Sequence, residues 1–412
     1  MSDEKKSVKQ NMIYNTVGSI IYYVCQWLMT VLVVRLSGYE DAGLLSIAMS
    51  VTAAPAIVGL FNIRSYQVSD INNEFFGTTY TMSRLYTNIL SYIICIIMVI
   101  TGGYNLQKAT VILIFMIFKV AEGFADVYYG IEQKFERLDY AGISLAIRGV
   151  GTIVLFSVTL IFLKNLLLSI IMITAFSFLV IILMDRHLVK KIGGSYMTVK
   201  TTNKEIKKLL IVCVPLAVVA FLNNLSINIP KIYLERYFGS EIMGIYASIA
   251  SPTVVIQLAA TTVFAPLVPV LTEQYNMNKK KEFLNTVKKF SMLVAGLSVI
   301  CIIASKLLAA WGLRLLFGES IEPYTYLFVP VILVSIMIAI NACLFSVCTL
   351  LRVIRQQYII GIGGVLMSEI LALTLVKNCS MEGVVYASIG TMIIQIIIQL
   401  VLIINKMRKS DE

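Results

Sequence analysis

Three charged residues fall within one predicted apolar helix near the middle of the first half of the chain. Lys119, Glu122 and Asp126 are spaced i, i+3 and i+7, which places them on one stripe of an α-helix. A charge inside a bilayer costs at least about 2.5–3.5 kcal/mol on insertion scales, so this stripe should face protein or water. Arg148, in the next apolar segment, is a candidate partner for either carboxylate. The stripe predicts either an ion-pair cluster joining two helices or the lining of a substrate path with a proton or sodium site.

Other polar side chains interrupt the apolar segments and are further candidates for a substrate cavity. Amides within a membrane span commonly hydrogen-bond a neighbouring helix, which is the structural alternative for the asparagines and the glutamine. The arginine that closes the second segment either faces a cavity or extends to the membrane interface. These candidates are Asn15 and Gln26 in the first segment, Arg64 in the second, and Asn223, Asn224 and Asn228 in the seventh.

The sequence carries none of the motifs that would indicate catalysis. There is no GxxxxGK[ST] motif for a nucleotide-driven motor. The adjacent acidic residues Glu40 and Asp41 resemble those of a lipid-sugar glycosyltransferase only in composition, and the loop that contains them is short. The seven cysteines form no CxxC pair, and His187 is the single histidine, so a metal site or disulfide framework is not expected. We therefore predict no catalytic residues, no cofactor and no metal.

The elements that must position these residues are membrane helices. The chain is 58% hydrophobic and 14% charged, with a mean hydropathy of +0.85, whereas soluble domains have about 45–50% apolar and about 25% charged residues. The net charge of +11 does not indicate nucleic-acid binding, because the charges lie in short loops between apolar segments. Twelve segments approach the ~20 residues needed to cross a bilayer. They are residues 12–34, 42–62, 84–102, 109–130, 142–163, 165–184, 208–229, 243–270, 284–308, 324–350, 357–376 and 382–405.

The distribution of basic residues predicts the orientation of these spans. If the N-terminus is cytoplasmic, 24 Lys and Arg residues fall in inside segments and 8 in outside loops. Cytoplasmic loops carry an excess of Lys and Arg, so both termini are predicted to be cytoplasmic. The first apolar stretch is too long for a signal peptide and is expected to be retained as a span.

A repeated motif predicts two related halves. Residues 35–50 and 236–251 share Arg, Gly, Glu, Gly and Ser in register at an offset of 201, and each copy joins two apolar segments. The basic stretch after the sixth span is the natural linker, giving an N-terminal bundle (1–184), a linker (185–207) and a C-terminal bundle (208–412). Because six spans return the chain to the same side, we expect an all-α fold of two six-helix bundles related by a pseudo-twofold along the membrane normal.

Several motifs in the first 150 residues resemble one family of exporters. The resemblance is to Wzx-type flippases of lipid-linked oligosaccharides, including O-antigen and capsular polysaccharide flippases, within the MOP superfamily of MATE-like exporters. One motif is Asn15, Gly18 and Gln26, leading to Arg35, Gly38 and Gly43; another is the string RSYQVSD at 64–70, followed by Tyr80, Arg84 and Tyr86. The most extensive comprises Lys119, Glu122, Asp126, Val127, Gly130, Gln133, Arg137, Asp139, Gly142, Ser144, Arg148 and Gly149.

The resemblance implies two six-helix bundles around a central cavity and a substrate of undecaprenyl-diphosphate oligosaccharide. The headgroup would move from the cytoplasmic to the outer leaflet of the bacterial plasma membrane by alternating access. Lys119, Arg148 and Arg64 would supply cations for the diphosphate, and Glu122 and Asp126 would couple transport to H⁺ or Na⁺. Membrane lipid and a glycan polymerase complex are the further partners expected. The alternatives are a MATE-type drug or cation antiporter, a scaffold for the polymerase, and a membrane-embedded polymerase or glycosyltransferase.

Overall fold

The computed structural model describes residues 7–70, 72–264, 267–277, 279–351 and 353–409. Regular secondary structure in these residues is entirely helical. Eight helical stretches are long and apolar enough to cross a membrane, and two of them, Asn203–Gln257 and Arg355–Lys406, extend over 55 and 52 residues. The predicted spans 109–130 and 284–308 lie on two further helices. The predicted all-α membrane fold is confirmed, and the described part of each predicted span is mainly helical.

The chain divides into two compact units, one up to Phe221 and the other from Leu222 onward. In its described residues, the first unit contains eight α-helices and the beginning of a ninth. A π-helical turn, Ile181–Asp185, separates α7 from α8. The helices are α1 (Val8–Ser37), α2 (Tyr39–Leu60), α3 (Ile63–Ser69), α4 (Gly77–Gly102), α5 (Leu106–Lys134), α6 (Leu138–Leu163), α7 (Leu166–Val180), α8 (Arg186–Gly193) and α9 (Asn203–Ala250).

The second unit takes the remainder of α9 and six further helices. A second π-helical turn, Ala372–Val376, follows α14, and the last helix has non-helical backbone at Ser380. The helices are α10 (Val254–Phe264), α11 (Leu267–Asn276), α12 (Lys280–Phe317), α13 (Phe328–Leu350), α14 (Ile354–Leu371) and α15 (Lys377–Lys409).

The boundary between the compact units falls inside α9. Leu209, Cys213 and Ala217 at the start of this helix belong to the hydrophobic core of the first unit, because the apolar face of its first turns packs on that bundle. The residues between α7 and α9 form the short helix α8 and a 3-10 turn, Gly194–Met197. The predicted halves, 1–184 and 208–412 with the linker 185–207, stay a prediction.

The repeated motif corresponds to a repeated backbone conformation. Gly38, which separates α1 from α2, has φ 90° and ψ −176°. Gly239, at the matching position 201 residues later, has φ 83° and ψ 178° and interrupts α9. These dihedral angles are in the region that glycine adopts without steric cost. Each copy of the motif therefore makes the same sharp change of direction between two helices.

Three glycines bring α1 and α6 into close contact. A Cβ atom at Gly18 would lie 1.9 Å from the Gly142 carbonyl oxygen, and one at Gly142 would lie 2.2 Å from the Tyr14 carbonyl oxygen. A Cβ at Gly149 would lie 2.8 Å from the Tyr22 Cα. Small residues let helix backbones approach closely in membranes. This contact positions Tyr22 of α1 beside Arg148 of α6, with the guanidinium 5.7 Å from the ring centroid.

Candidate substrate and ion site

The charged stripe on α5 forms an ion pair at its first two positions. Lys119 Nζ lies 2.6 Å from Glu122 Oε2, as expected for residues three apart on a helix. The Tyr22 hydroxyl donates to the other Glu122 oxygen. The side chains of Lys119 and Glu122 are 24% and 23% exposed, so the pair is accessible from outside the unit while its carboxylate is held from both sides.

Asp126 is held by two arginines from other helices. Arg84 Nη2 lies 2.7 Å from Asp126 Oδ2, and Arg64 Nη1 lies 3.3 Å from Asp126 Oδ1. Arg64 also donates to Gln133 Oε1 at 3.1 Å. The Arg84 side chain has no exposed surface, whereas that of Arg64 is 33% exposed. One carboxylate therefore joins three helices, and one of its two arginines remains accessible.

Backbone breaks place these two arginines. α2 ends at Phe61 and Asn62, which both have left-handed backbone with φ of 50° and 55°, so the chain turns and α3 directs Arg64 toward α5. Arg84 of α4 also donates from Nη1 to the Gly59 carbonyl oxygen at 2.6 Å. That carbonyl belongs to the last turn of α2, where backbone oxygens lack helical partners. Arg84 thus donates hydrogen bonds both to a carbonyl in the last turn of α2 and to the Asp126 carboxylate.

Arg148 is buried and has a different partner from the one predicted. Its side chain donates from Nη1 to the Tyr129 hydroxyl at 3.3 Å, and the residue is only 2% exposed. Its Nε and Nη2 atoms have no hydrogen-bond partner among the described residues. Glu122 is within electrostatic range of Arg148 but is hydrogen-bonded to Lys119 and Tyr22. Arg148 therefore keeps unused donor capacity inside the unit.

Arg64, Arg84, Lys119, Glu122 and Asp126 are called the charged cluster below. With Arg148, the group holds four cations and two carboxylates, a net charge of +2. In the low-dielectric interior of a membrane protein, a net positive charge attracts anions strongly. The cluster is therefore suited to hold an anionic group next to its accessible members, Arg64 and Lys119.

The other candidates of the first unit make fewer contacts. Asn15 is half-buried on α1, one residue from Tyr14, whose carbonyl contacts Gly142. Gln26 is also half-buried, and its Nε2 atom has no partner among the described residues. Both lie on the helix that carries Tyr22, but the structure does not join either of them to the charged cluster.

The asparagines of α9 belong to the second unit, where they form an uncharged network. Asn341 Nδ2 donates to Asn223 Oδ1 at 3.0 Å and to Gln395 Oε1 at 3.2 Å. Gln399 donates to Asn341 Oδ1 at 2.9 Å. Asn228 instead donates to the Asn224 carbonyl at 2.9 Å. Asn223 is therefore part of a buried amide network that joins α9, α13 and α15, which is the structural role expected of amides in spans.

The loop between α3 and α4 is ordered by a carboxylate outside the spans. Asp70 accepts from the backbone N–H groups of Glu74 and Phe75 at 2.8 and 3.1 Å and from the Tyr80 hydroxyl at 2.8 Å. Burial alone would raise the pKa of Asp70, but these hydrogen bonds and nearby Lys134 hold the pKa below its usual value. Lys134 at the C-terminal end of α5 also donates to the Asp70 carbonyl at 2.7 Å, so this loop is held next to that end of the helix.

No group of three or more His, Cys, Asp or Glu residues suited to a metal ion occurs among the residues that the structure describes. Arg84 of the charged cluster and Tyr22, which donates to Glu122, were not predicted as site residues. Arg84 belongs to one of the motifs that resemble the exporter family, so the sequence pointed to this residue. Its pairing with Asp126 was not predictable, because it depends on how α4 packs on α5. Tyr22 is an ordinary apolar-face tyrosine in the sequence, and only the contact between α1 and α6 reveals its role.

Comparisons with known proteins place this arrangement in a family. The sequence matches the family described as polysaccharide biosynthesis protein over residues 8–275. The capsular polysaccharide biosynthesis protein CapF of Staphylococcus aureus is 31% identical over 314 residues, covering 76% of this chain and 78% of CapF. The chain belongs to the polysaccharide biosynthesis protein family. The matched region contains the whole charged cluster.

Solved transporters share the fold of this polysaccharide biosynthesis family protein. An inward-facing multidrug resistance MATE transporter of the MOP superfamily superposes with a TM-score of 0.74 at 13% identity, covering 98% of this chain and 100% of that chain. A MOP superfamily transporter from Pyrococcus furiosus, described as having a binding pocket of reversed polarity, gives a TM-score of 0.61 at 12% identity, covering 98% and 97%. The MATE-like fold and the resemblance to Wzx-type MOP exporters are confirmed, and the protein is a multi-pass membrane protein.

Proposed function

We propose that this protein is a flippase that moves a lipid-linked oligosaccharide with an anionic diphosphate headgroup from the cytoplasmic to the outer leaflet by alternating access. The observation that carries the proposal is the net positive charge of the charged cluster and Arg148. A drug or cation exporter would need a net negative site to bind its cargo. An excess of fixed cations within membrane helices matches an anionic headgroup instead.

The two accessible cations would make the first contacts with the headgroup. Arg64 offers a planar fork that binds phosphate oxygens in a bidentate manner, and its side chain is one-third exposed. Lys119 supplies a point charge on α5, seven residues before Asp126, which Arg64 contacts. Arg84 and Arg148 are buried, so they would act through the electrostatic field they add. Asn15, Gln26, Asn223, Asn224 and Asn228 remain candidates for contacts with the sugars.

Family membership supports the class of substrate. The CapF relative is named for capsular polysaccharide biosynthesis, and we extend that role to this chain as capsule or O-antigen assembly. The lipid carrier would be undecaprenyl diphosphate, and its tail would stay in membrane lipid while the sugars cross. A glycan polymerase that joins exported units is the expected protein partner.

The energy source and orientation belong to the same proposal. With no nucleotide-binding motif in the sequence, transport would be coupled to H⁺ or Na⁺ through carboxylates, with Glu122 and Asp126 as the first candidates. The protein would lie in the bacterial plasma membrane with both termini cytoplasmic. Asp126 is paired with Arg64 and Arg84, whereas Glu122 is paired with Lys119 and Tyr22 and lies within electrostatic range of Arg148, so each carboxylate has two cations near it.

A second candidate function follows from the structural neighbours. MATE multidrug transporters share this fold, so a drug or cation antiporter is the alternative. The net charge of +2 on the charged cluster and Arg148 opposes it, because a cationic drug would meet repulsion there.

Gene deletion in the source organism tests the proposal against both alternatives. The flippase proposal expects loss of surface polysaccharide and accumulation of lipid-linked oligosaccharide on the cytoplasmic side, both reversed by re-expression. A scaffold for the polymerase would instead leave single units exported but not joined. Normal surface polysaccharide together with increased sensitivity to cationic drugs would establish the antiporter.

A further inference from the structure

Two buried carboxylates lie in the first unit outside the charged cluster. Glu132 is near the end of α5, and Asp185 is the last residue of the π-helical turn that follows α7. Both residues are 0% exposed. α5 and α6 both pack against the π-helical turn, and this packing brings the two carboxylates within electrostatic range of each other. We call Glu132 and Asp185 the acidic pair.

None of the four carboxylate oxygens of the acidic pair has a hydrogen-bond partner in the described part of the chain. The Ser144 hydroxyl lies near Asp185 and contacts the Tyr129 hydroxyl at 3.0 Å; with its single proton it can supply at most one hydrogen bond to the pair. Buried polar groups are nearly always hydrogen-bonded, and an unpaired buried ion costs several kcal/mol. Two neighbouring carboxylates that were both ionised would also repel each other. The arrangement therefore requires at least one carboxyl of the pair to hold a proton.

Two of the surrounding cations are already paired with other carboxylates, so Glu132 has no cation of its own; Arg148, whose hydrogen-bond partner is the neutral Tyr129 hydroxyl, is the cation within electrostatic range of Asp185. Arg64 is bonded to Asp126 and Gln133, Arg137 is bonded to Asp139 at 3.0 Å, and Arg148 donates to Tyr129. The exposed residues of α8 extend to solvent. The charged or titratable groups on the elements packed around the pair are Arg64 on α3, Arg84 on α4, Tyr128 and Tyr129 on α5, Arg137 directly before α6, Asp139 and Arg148 on α6, and Arg186 and His187 on α8.

Polar groups connect the acidic pair with the charged cluster. Glu122, Tyr129 and Glu132 lie at i, i+7 and i+10 along one side of α5, which spans about 15 Å of helix axis. Between the ends, Arg148 and Ser144 of α6 contact the Tyr129 hydroxyl at 3.3 and 3.0 Å. A line of polar side chains thus runs inside the unit from Glu122 to Asp185.

We propose that Glu132 and Asp185 form a shared proton-binding site, distinct from the charged cluster, and that its proton is linked to transport through Tyr129, Ser144 and Arg148. A proton bound to one carboxyl gives an O–H donor, and the other carboxylate is its natural acceptor. Release of the proton would leave an uncompensated charge that draws Arg148 toward Asp185. The π-helical turn suits this role, because single π turns occur frequently at functional sites. The link to transport rests on the proposed function, whereas proton binding by the pair does not.

Infrared difference spectroscopy on the full-length protein in lipid nanodiscs tests proton binding without any substrate. The wild type should show the C=O stretch of a protonated carboxyl at neutral pH, and this band should disappear as the pH is raised. Glu132→Gln and Asp185→Asn should each remove or shift the band. Glu136→Gln, an exposed carboxylate at the same end of α5, is the matched control and should leave the band unchanged. Absence of the band from the wild type at neutral pH, or its persistence in both amide variants, would overturn the proposal.

The link to transport has a separate readout. In proteoliposomes, Glu132→Gln and Asp185→Asn should flatten the pH dependence of glycan transport, whereas Glu136→Gln should retain the wild-type profile. A wild-type pH profile in both pair variants would refute the link. If the wild type transports no glycan, the proposed function fails while the infrared result on proton binding still stands.

Discussion

Arg84 Nη2 lies 2.7 Å from Asp126 Oδ2, deep in the first unit, and the other oxygen of the same carboxylate faces Arg64 at 3.3 Å. Asp126 is therefore the counter-ion of two arginines supplied by α3 and α4. This relationship fixes the geometry of the charged cluster. It also leaves Arg64 as the member whose guanidinium is both held in place and accessible.

Removing the Asp126 charge should destabilise the first unit. Asp126→Asn leaves the fully buried Arg84 without its counter-ion, and breaking a buried pair in this way costs about 3–5 kcal/mol. Thermal unfolding of the purified protein in detergent should show a clear decrease in Tm. The matched control is Glu282→Gln, which breaks an exposed pair with Lys279 and should cost less than about 1 kcal/mol. Equal Tm values for the two variants would contradict a structural role for Asp126.

The contact between α1 and α6 should not tolerate a methyl group. Gly142→Ala would place Cβ 2.2 Å from the Tyr14 carbonyl oxygen, so one helix has to move and Tyr22 shifts away from Arg148. We expect a lower Tm and a loss of transport. Gly363→Ala on α14, where a Cβ meets nothing within 4 Å, should leave Tm unchanged or slightly raised. A wild-type Tm for Gly142→Ala would exclude this close contact.

The Asp70 loop should be sensitive to acid. The pKa of Asp70 is held below its usual value in the folded protein, so its ionised form stabilises the loop above the unfolded pKa of about 3.9. That stabilisation is lost as the pH falls through the folded pKa. The protection factors of the Glu74 and Phe75 amides, which compare their exchange with that of an unstructured chain at the same pH, should therefore fall below about pH 4 in the wild type. Asp70→Asn should exchange rapidly at neutral pH, and protection equal to the wild type would contradict the loop's dependence on this carboxylate.

The predicted orientation can be tested with single cysteines. Ser195 and Asn105 are both exposed, and they lie on opposite sides of the membrane if both termini are cytoplasmic. In a background with the exposed Cys379 changed to serine, a membrane-impermeant maleimide added to intact cells should label Asn105→Cys and not Ser195→Cys. Labelling in permeabilised cells is the control for both sites. The reverse pattern would invert the topology.

The sequence was sufficient for the features that depend on local geometry. The pairing of Lys119 with Glu122 follows from helical spacing alone, and the repeat at Gly38 and Gly239 gives matching backbone turns. The partners of Asp126 were not predictable in the same way. Arg64 and Arg84 reach it because α3 and α4 pack on α5, and such packing depends on contacts between residues far apart in sequence.

The contacts of Arg148 and of the acidic pair were likewise not predictable from the sequence. The sequence placed Arg148 within a span, but its partner Tyr129 depends on how α5 packs on α6. Glu132 and Asp185 are separated by 53 positions and lie at predicted span ends, where charged residues are ordinarily solvated. The π-helical turn that carries Asp185 into the interior has no signature in the sequence that we could recognise.

The most direct test of the central claim is transport of a lipid-linked oligosaccharide diphosphate by the purified protein in proteoliposomes. If the charged cluster binds the headgroup, Arg64→Gln should reduce the transport rate about tenfold, as expected for loss of one charge-assisted contact of roughly 1.4 kcal/mol. Arg64→Lys should be milder, because it keeps the charge and loses the fork. Arg186→Gln, an exposed arginine of α8, should transport at the wild-type rate. Wild-type rates for both Arg64→Gln and Lys119→Gln, with normal protein abundance and Tm, would contradict the claim that these cations bind the substrate.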